Sequence, residues 1–142
     1  MIRLAAPEDA GQLFGLNERF NGPSGTTVED MARSLGDNPR ELVIVADCEG
    51  TLAGFVCVQV KYSFCYERPS AEITEVFVDE EYRRAGLGRK LLEFAERMAA
   101  ERFGVSELTV LTGGDNFPAQ GLYEAAGFER EDEVLFFKEG RR

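Results

Sequence analysis

The chain has 142 residues, with 44% hydrophobic and 30% charged side chains, a composition suited to one soluble domain spanning residues 1–142. Sixteen basic against twenty-six acidic residues give a net charge of −10, which argues against nucleic acid as a partner, and no stretch approaches the length of a membrane span. Histidine is absent, so imidazole bases, Ser-His-Asp triads and His-based zinc sites are excluded and no metal is expected.

Ile2 to Ala5 reads as a first strand. Pro7, followed by Glu8 and Asp9, opens a helix whose apolar face carries Leu13, Phe14, Leu16 and Phe20. Asn21-Gly22-Pro23-Ser24-Gly25 is a loop, and Thr27 caps a second helix, Val28 to Leu35. Glu41 to Cys48 is a strand, Glu49-Gly50 a tight turn, and Leu52 to about Phe64 a long strand. In the long strand Val56, Val58, Val60, Tyr62 and Phe64 line one face, with Gln59, Lys61 and Ser63 on the other. A turn at Glu67 to Ser70 leads into Ala71 to Val78, completing an antiparallel meander. A polar loop precedes a helix from Gly86 to Phe103, which turns Leu87, Leu91, Leu92, Ala95, Met98 and Ala99 inward and sets Glu93 against Arg97 outside. Glu107 to Leu111 is a strand, Asn116 to Ala126 a helix stopped by Gly127, and Val134 to Lys138 a closing strand. Cys48, Cys57 and Cys65 lie in strand-like surroundings without a CxxC pair or a base partner, and read as structural thiols.

The most informative stretch runs from Val76 to Gly88, where a strand feeds a two-glycine loop into a helix. Free N–H groups at a helix N-terminus attract anions, and glycine removes the Cβ that would hold a phosphate away. Residues 83–90 contain Arg83, Arg84, Arg89 and Lys90 and no acid, a local charge of +4 within a protein of −10. The third glycine of the dinucleotide fingerprint is replaced by Leu91, and no GxxxxGK[ST] motif occurs.

Arg83-Arg84-Ala85-Gly86-Leu87-Gly88 resembles the pyrophosphate loop Gln/Arg-x-x-Gly-x-Gly/Ala of the GNAT superfamily of acyl-CoA-dependent N-acyltransferases. Asn116 to Phe128 resembles that family's second signature, Asn-x-x-Ala-x-x-x-Tyr-x-x-x-Gly-Phe, and the element order agrees over nearly the whole chain. The resemblance implies an α/β fold with one mixed, mostly antiparallel sheet, splayed between two strands and flanked by about four helices. It implies acetyl-CoA as acyl donor, held by the backbone of Val76, Phe77 and Val78 and by Arg83, Arg84, Ala85, Gly86, Leu87, Gly88 and Arg89, with Asn116 either touching the cofactor arm or capping its helix. Tyr123 matches the tyrosine that usually protonates the leaving thiolate, and it also lies beside the cofactor arm.

For the base the resemblance leaves Glu72, Glu75 or water. Glu72 lies 14 residues before Gly86, where several protein-acetylating members carry a carboxylate, whereas Glu75 occupies a position often acidic in the family. A regular strand puts the two on opposite faces, and a bulge would change that parity. The implied function is direct acetyl transfer to a primary amine of a small cationic molecule in the cytoplasm. Alternatives are a protein lysine or N-terminal acetyltransferase and a non-catalytic acyl-CoA-binding module. Acceptor contacts are expected from residues 15–40 and 62–70, and the edge of the last strand offers a route to a homodimer.

Overall fold

The computed structural model describes residues 1–140. Its regular elements are β1 (Ile2–Leu4), α1 (Ala10–Asn21), α2 (Val28–Gly36), β2 (Glu41–Cys48), β3 (Thr51–Lys61), β4 (Ser70–Val78), α3 (Leu87–Phe103), β5 (Leu108–Val110) and α4 (Phe117–Ala125). The strands form one sheet in sequence order, antiparallel except for the β4–β5 pair. The short turn at Glu49-Gly50 and the loop of residues 62–69 are what chain connectivity requires for antiparallel neighbours. The 17-residue α3 is the crossover that allows β5 to run parallel to β4.

The alternation of side chains across β2 and β3 gives the sheet two covered faces. On one, Ile44, Val56, Val58 and Ile73 pack with Leu91, Leu92, Ala95 and Ala99 of α3. On the other, Val45 and Phe55 pack with Leu13 and Leu16 of α1. The start of the chain is pinned by Arg3, whose guanidinium donates to both Asp9 carboxylate oxygens at 2.8 and 2.9 Å and also meets Asp47. Thr27 caps α2 by accepting from the Asp30 N–H at 3.0 Å.

Four expectations are corrected. β3 ends at Lys61, because its partners Glu41 and Ser70 face Gln59 and Lys61 and nothing extends the ladder; Tyr62 and Phe64 are therefore exposed rather than inward. Val134 to Lys138 is not a strand: residues 128–140 have no regular structure, and Val134, Leu135, Phe136 and Phe137 are exposed. The mostly acidic run Glu129 to Glu133 is exposed, and the last strand among the described residues is the three-residue β5. Cys65 is exposed in the loop after β3. Glu93 pairs with Arg89 at 3.0 Å, while the Arg97 guanidinium lies over the Phe94 ring.

Gly54 shows how closely β3 and β4 approach. A Cβ built there would stand 2.5 Å from the Phe77 carbonyl oxygen and 3.1 Å from the Val78 Cα. Gly54→Ala is expected to displace the end of β4 and lower stability by about 1–3 kcal/mol. Gly15→Ala, in the interior of α1 with nothing within 4 Å of the new methyl, should instead be neutral or gain up to about 1 kcal/mol. Urea unfolding midpoints of the two variants check the contrast.

Candidate functional site

The parallel ladder between β4 and β5 covers only Ala71, Glu72 and Ile73. Beyond Ile73, β4 continues to Val78 along β3 alone, so the sheet parts. The Asp79 N–H donates to the Ala53 carbonyl on the β3 side. By strand alternation the polar backbone groups of Val76 and Val78 turn to the opening. The Val78 carbonyl there accepts from Arg83 Nε at 2.9 Å. Amide groups left facing a gap invite an extended ligand that supplies the missing ladder.

The parting begins at a bulge. Cys57 faces Glu75 and Val58 faces Ile73, which leaves Thr74 as an extra, exposed residue. Glu72 lies opposite Gln59 and Glu75 opposite Cys57, positions two apart on β3. The bulge thus brings both glutamates to the face covered by α1 and α2, in place of the opposite faces expected of a regular strand. Their surroundings differ. Glu72 accepts from Lys61 Nζ at 2.6 Å. Glu75 lines a cavity of about 150 Å³ and receives a 3.4 Å contact from the Asn21 amide at the end of α1.

Leu13 and Asn17 of α1, Met31, Ser34 and Leu35 of α2, and Glu41, Val43, Phe55 and Cys57 of the sheet complete that cavity. Residues 15–40 contribute as expected, but none of 62–70 does. Glu41 is the charged member that sequence reasoning missed. Burial pushes its carboxyl above the usual range, Gln59 opposes this by donating at 2.7 Å, and the charge of Glu75 adds to the rise. The available signals were an acid opening an apolar strand and a Gln set among valines. Burial, aided by the same two carboxylates, holds the Cys57 thiol well above its ordinary range, which leaves it protonated and a poor nucleophile.

At the far end of β4 the chain makes a short 3₁₀ turn, Glu80–Tyr82, and enters α3 through Arg84 and Gly86, at φ of 69° and 75°. The left-handed turn leaves the N–H groups of residues 84–89 without a protein acceptor among the described residues; the first to bond is Lys90, to the Gly86 carbonyl. Of the four cations, Arg83 is spent on the Val78 carbonyl and the Phe77 ring, and Arg89 on Glu93. Arg84 and Lys90 are exposed and make no ion pair among the described residues. An exposed helix mouth with free donors, two uncommitted cations and no nearby Cβ at Gly86 fits a pyrophosphate.

Gly88 also packs tightly against the last helix. A Cβ there would lie 3.2 and 3.4 Å from the methyls of Leu122, so the glycine lets α4 approach α3. Tyr123, the next residue on α4, is half-buried, and burial raises its phenol above the ordinary tyrosine value. Its hydroxyl makes no protein hydrogen bond among the described residues, and none of their buried side-chain polar atoms is unsatisfied, so it reaches solvent. The Asn116 side chain accepts from the Ala119 N–H at 3.2 Å and caps α4.

Comparison with known proteins agrees with this arrangement. Residues 13–128 match the model of the Acetyltransferase (GNAT) family. An N-acetyltransferase of Archaeoglobus fulgidus is 34% identical over 107 residues, 74% of this chain and 71% of that protein. One from Chlorobaculum tepidum is 32% identical over 135 residues, 95% of this chain and 79% of its own. Among solved structures, an aminoglycoside acetyltransferase from an uncultured soil metagenomic sample, in complex with trehalose, superposes with a TM-score of 0.87 at 25% identity, covering 100% of this chain and 96% of that one. With a parted sheet, an anion-ready helix mouth and these relatives, the chain belongs to the GNAT family and is an acetyl-CoA-dependent N-acetyltransferase.

Proposed function

We propose that residues 1–142 act as one catalytic unit that acetylates a primary amine of a small cationic molecule by direct attack, with Glu75 receiving the amine's proton and Tyr123 serving the leaving group. The observation that carries this reading is the position of Glu75, which adjoins the open stretch of β4 on one side and a cavity under α1 and α2 on the other. The net charge of −10 favours a cationic acceptor, and the neighbouring soil-metagenome structure is that of an aminoglycoside acetyltransferase. Three free thiols suit a reducing compartment, in keeping with a cytoplasmic enzyme.

Acetyl-CoA supplies the acetyl group already activated as a thioester. The N–H groups of residues 84–89, with Arg84 and Lys90, would hold its pyrophosphate, and the backbone of Val76 and Val78 its pantetheine amides. An amine attacks only when neutral, so a carboxylate must take a proton at the acceptor side. Glu75 meets only the neutral Asn21 amide at 3.4 Å, whereas Glu72 is engaged by the Lys61 ammonium at 2.6 Å. The raised phenol of Tyr123 keeps its proton throughout the neutral range and can give it to a departing thiolate.

The test is acetyl-CoA-dependent thiol release across amines, together with thermal shift. In the parent protein, acetyl-CoA at 100 times its Kd adds about 2.7 kcal/mol of stability. The exposed double substitution Arg84→Glu with Lys90→Glu should remove most of that shift while leaving the ligand-free Tm in place. Tyr123→Phe should lower kcat by about tenfold to a thousandfold without changing acetyl-CoA affinity, measured where chemistry limits the rate. Glu75→Gln should flatten the rise of kcat/KM with pH, whereas Glu72→Gln should retain it. The opposite result for the two glutamates would move the base to Glu72.

A further inference from the structure

The cavity beneath α1 and α2 has a chemistry of its own. Its walls are apolar: Leu13, Met31, Leu35, Val43 and Phe55. It is a cleft of about 150 Å³ that opens to solvent, room for a compact apolar group. Among the described residues, formal charge enters its lining through Glu41 and Glu75, both from the sheet. Glu75 immediately precedes Val76, where the backbone turns to the parted sheet.

From this we infer that the acceptor is a primary amine carried on a compact apolar group, of the arylalkyl or branched alkyl class, with the apolar body seated between α1, α2 and the sheet and the nitrogen beside Glu75. The inference rests on the proposed direct transfer to an amine and narrows its substrate class. Glu41 sets specificity: held by Gln59, it puts a second carboxylate on the same lining and attracts the cation before its proton is lost. A polyhydroxylated amine fits poorly. Each hydroxyl placed here would leave water for walls offering few partners, Asn17 and Ser34 beside the two carboxylates. A long polyamine would bring further charges to a lining that offers two carboxylates among apolar walls. The chain therefore differs in acceptor chemistry from the aminoglycoside acetyltransferase whose fold it shares.

The experiment is thiol release from acetyl-CoA by the wild-type protein with phenethylamine, isoamylamine, spermidine and kanamycin, each over a range of concentrations. The two apolar-bodied amines should exceed the others in kcat/KM by at least tenfold. Val43→Phe, which fills the cavity, should raise KM for phenethylamine at least tenfold with the acetyl-CoA thermal shift intact, and Glu41→Gln should raise it less. The wild-type comparison stands alone if a variant fails to fold. Preference for spermidine or kanamycin overturns this assignment and leaves transfer to a small amine in place. Binding of acetyl-CoA with no thiol release from any of the four overturns both.

Discussion

Hydrogen bonds between β4 and β5 stop at Ile73, and the site is organised around that interruption. A strand that loses its partner halfway exposes N–H and C=O groups that must find water or a ligand. In this chain the free half of β4 is kept extended by β3 on its other edge, through close approach at Gly54. It is held from above by α1, where Phe20 stacks on Phe77 at 5.2 Å and Arg19 meets Asp79 at 2.8 Å. These contacts preserve an unsatisfied edge as a fixed surface, with the anion-ready mouth of α3 at one end and the carboxylate-lined cavity at the other.

The bulge at Thr74 does a second thing. One extra residue reverses the parity of β4, so Glu72 and Glu75 share a face although they are three residues apart. The sheet then distinguishes them by neighbours. Glu72 sits where β5 still pairs and Lys61 neutralises it, while Glu75 sits past the last β5 contact, beside Glu41 and Cys57. Two identical side chains acquire different environments from a single backbone irregularity.

Much of this was legible in the sequence, because it is written in local chemistry. The Gly86–Gly88 entry to α3, the cations around it, the Thr27 and Asn116 caps and the period-two alternation of β3 all act over a few residues. What escaped depends on partners distant in the chain. No periodicity reveals that β3 runs out of neighbours at Lys61, that Val134 to Phe137 lack an edge to join, or that Glu41 comes to share a lining with Glu75 across two strand pairings. The bulge is invisible for the same reason: Thr74 is an ordinary strand residue until register decides that it has no counterpart.

Gly88 and Leu122 belong to two motifs about 30 residues apart, yet they divide one small volume between them. A methyl at 88 would stand 3.2 Å from the branch at 122, so the two motifs are packed tightly against each other. A side chain at 88 asks the Leu122 branch to give by a few tenths of an ångström, and shrinking 122 alone opens a void beneath the helix that carries Tyr123. The glycine loop and the tyrosine helix are thus in direct contact, and a graft of either motif into another scaffold separates it from its packing partner.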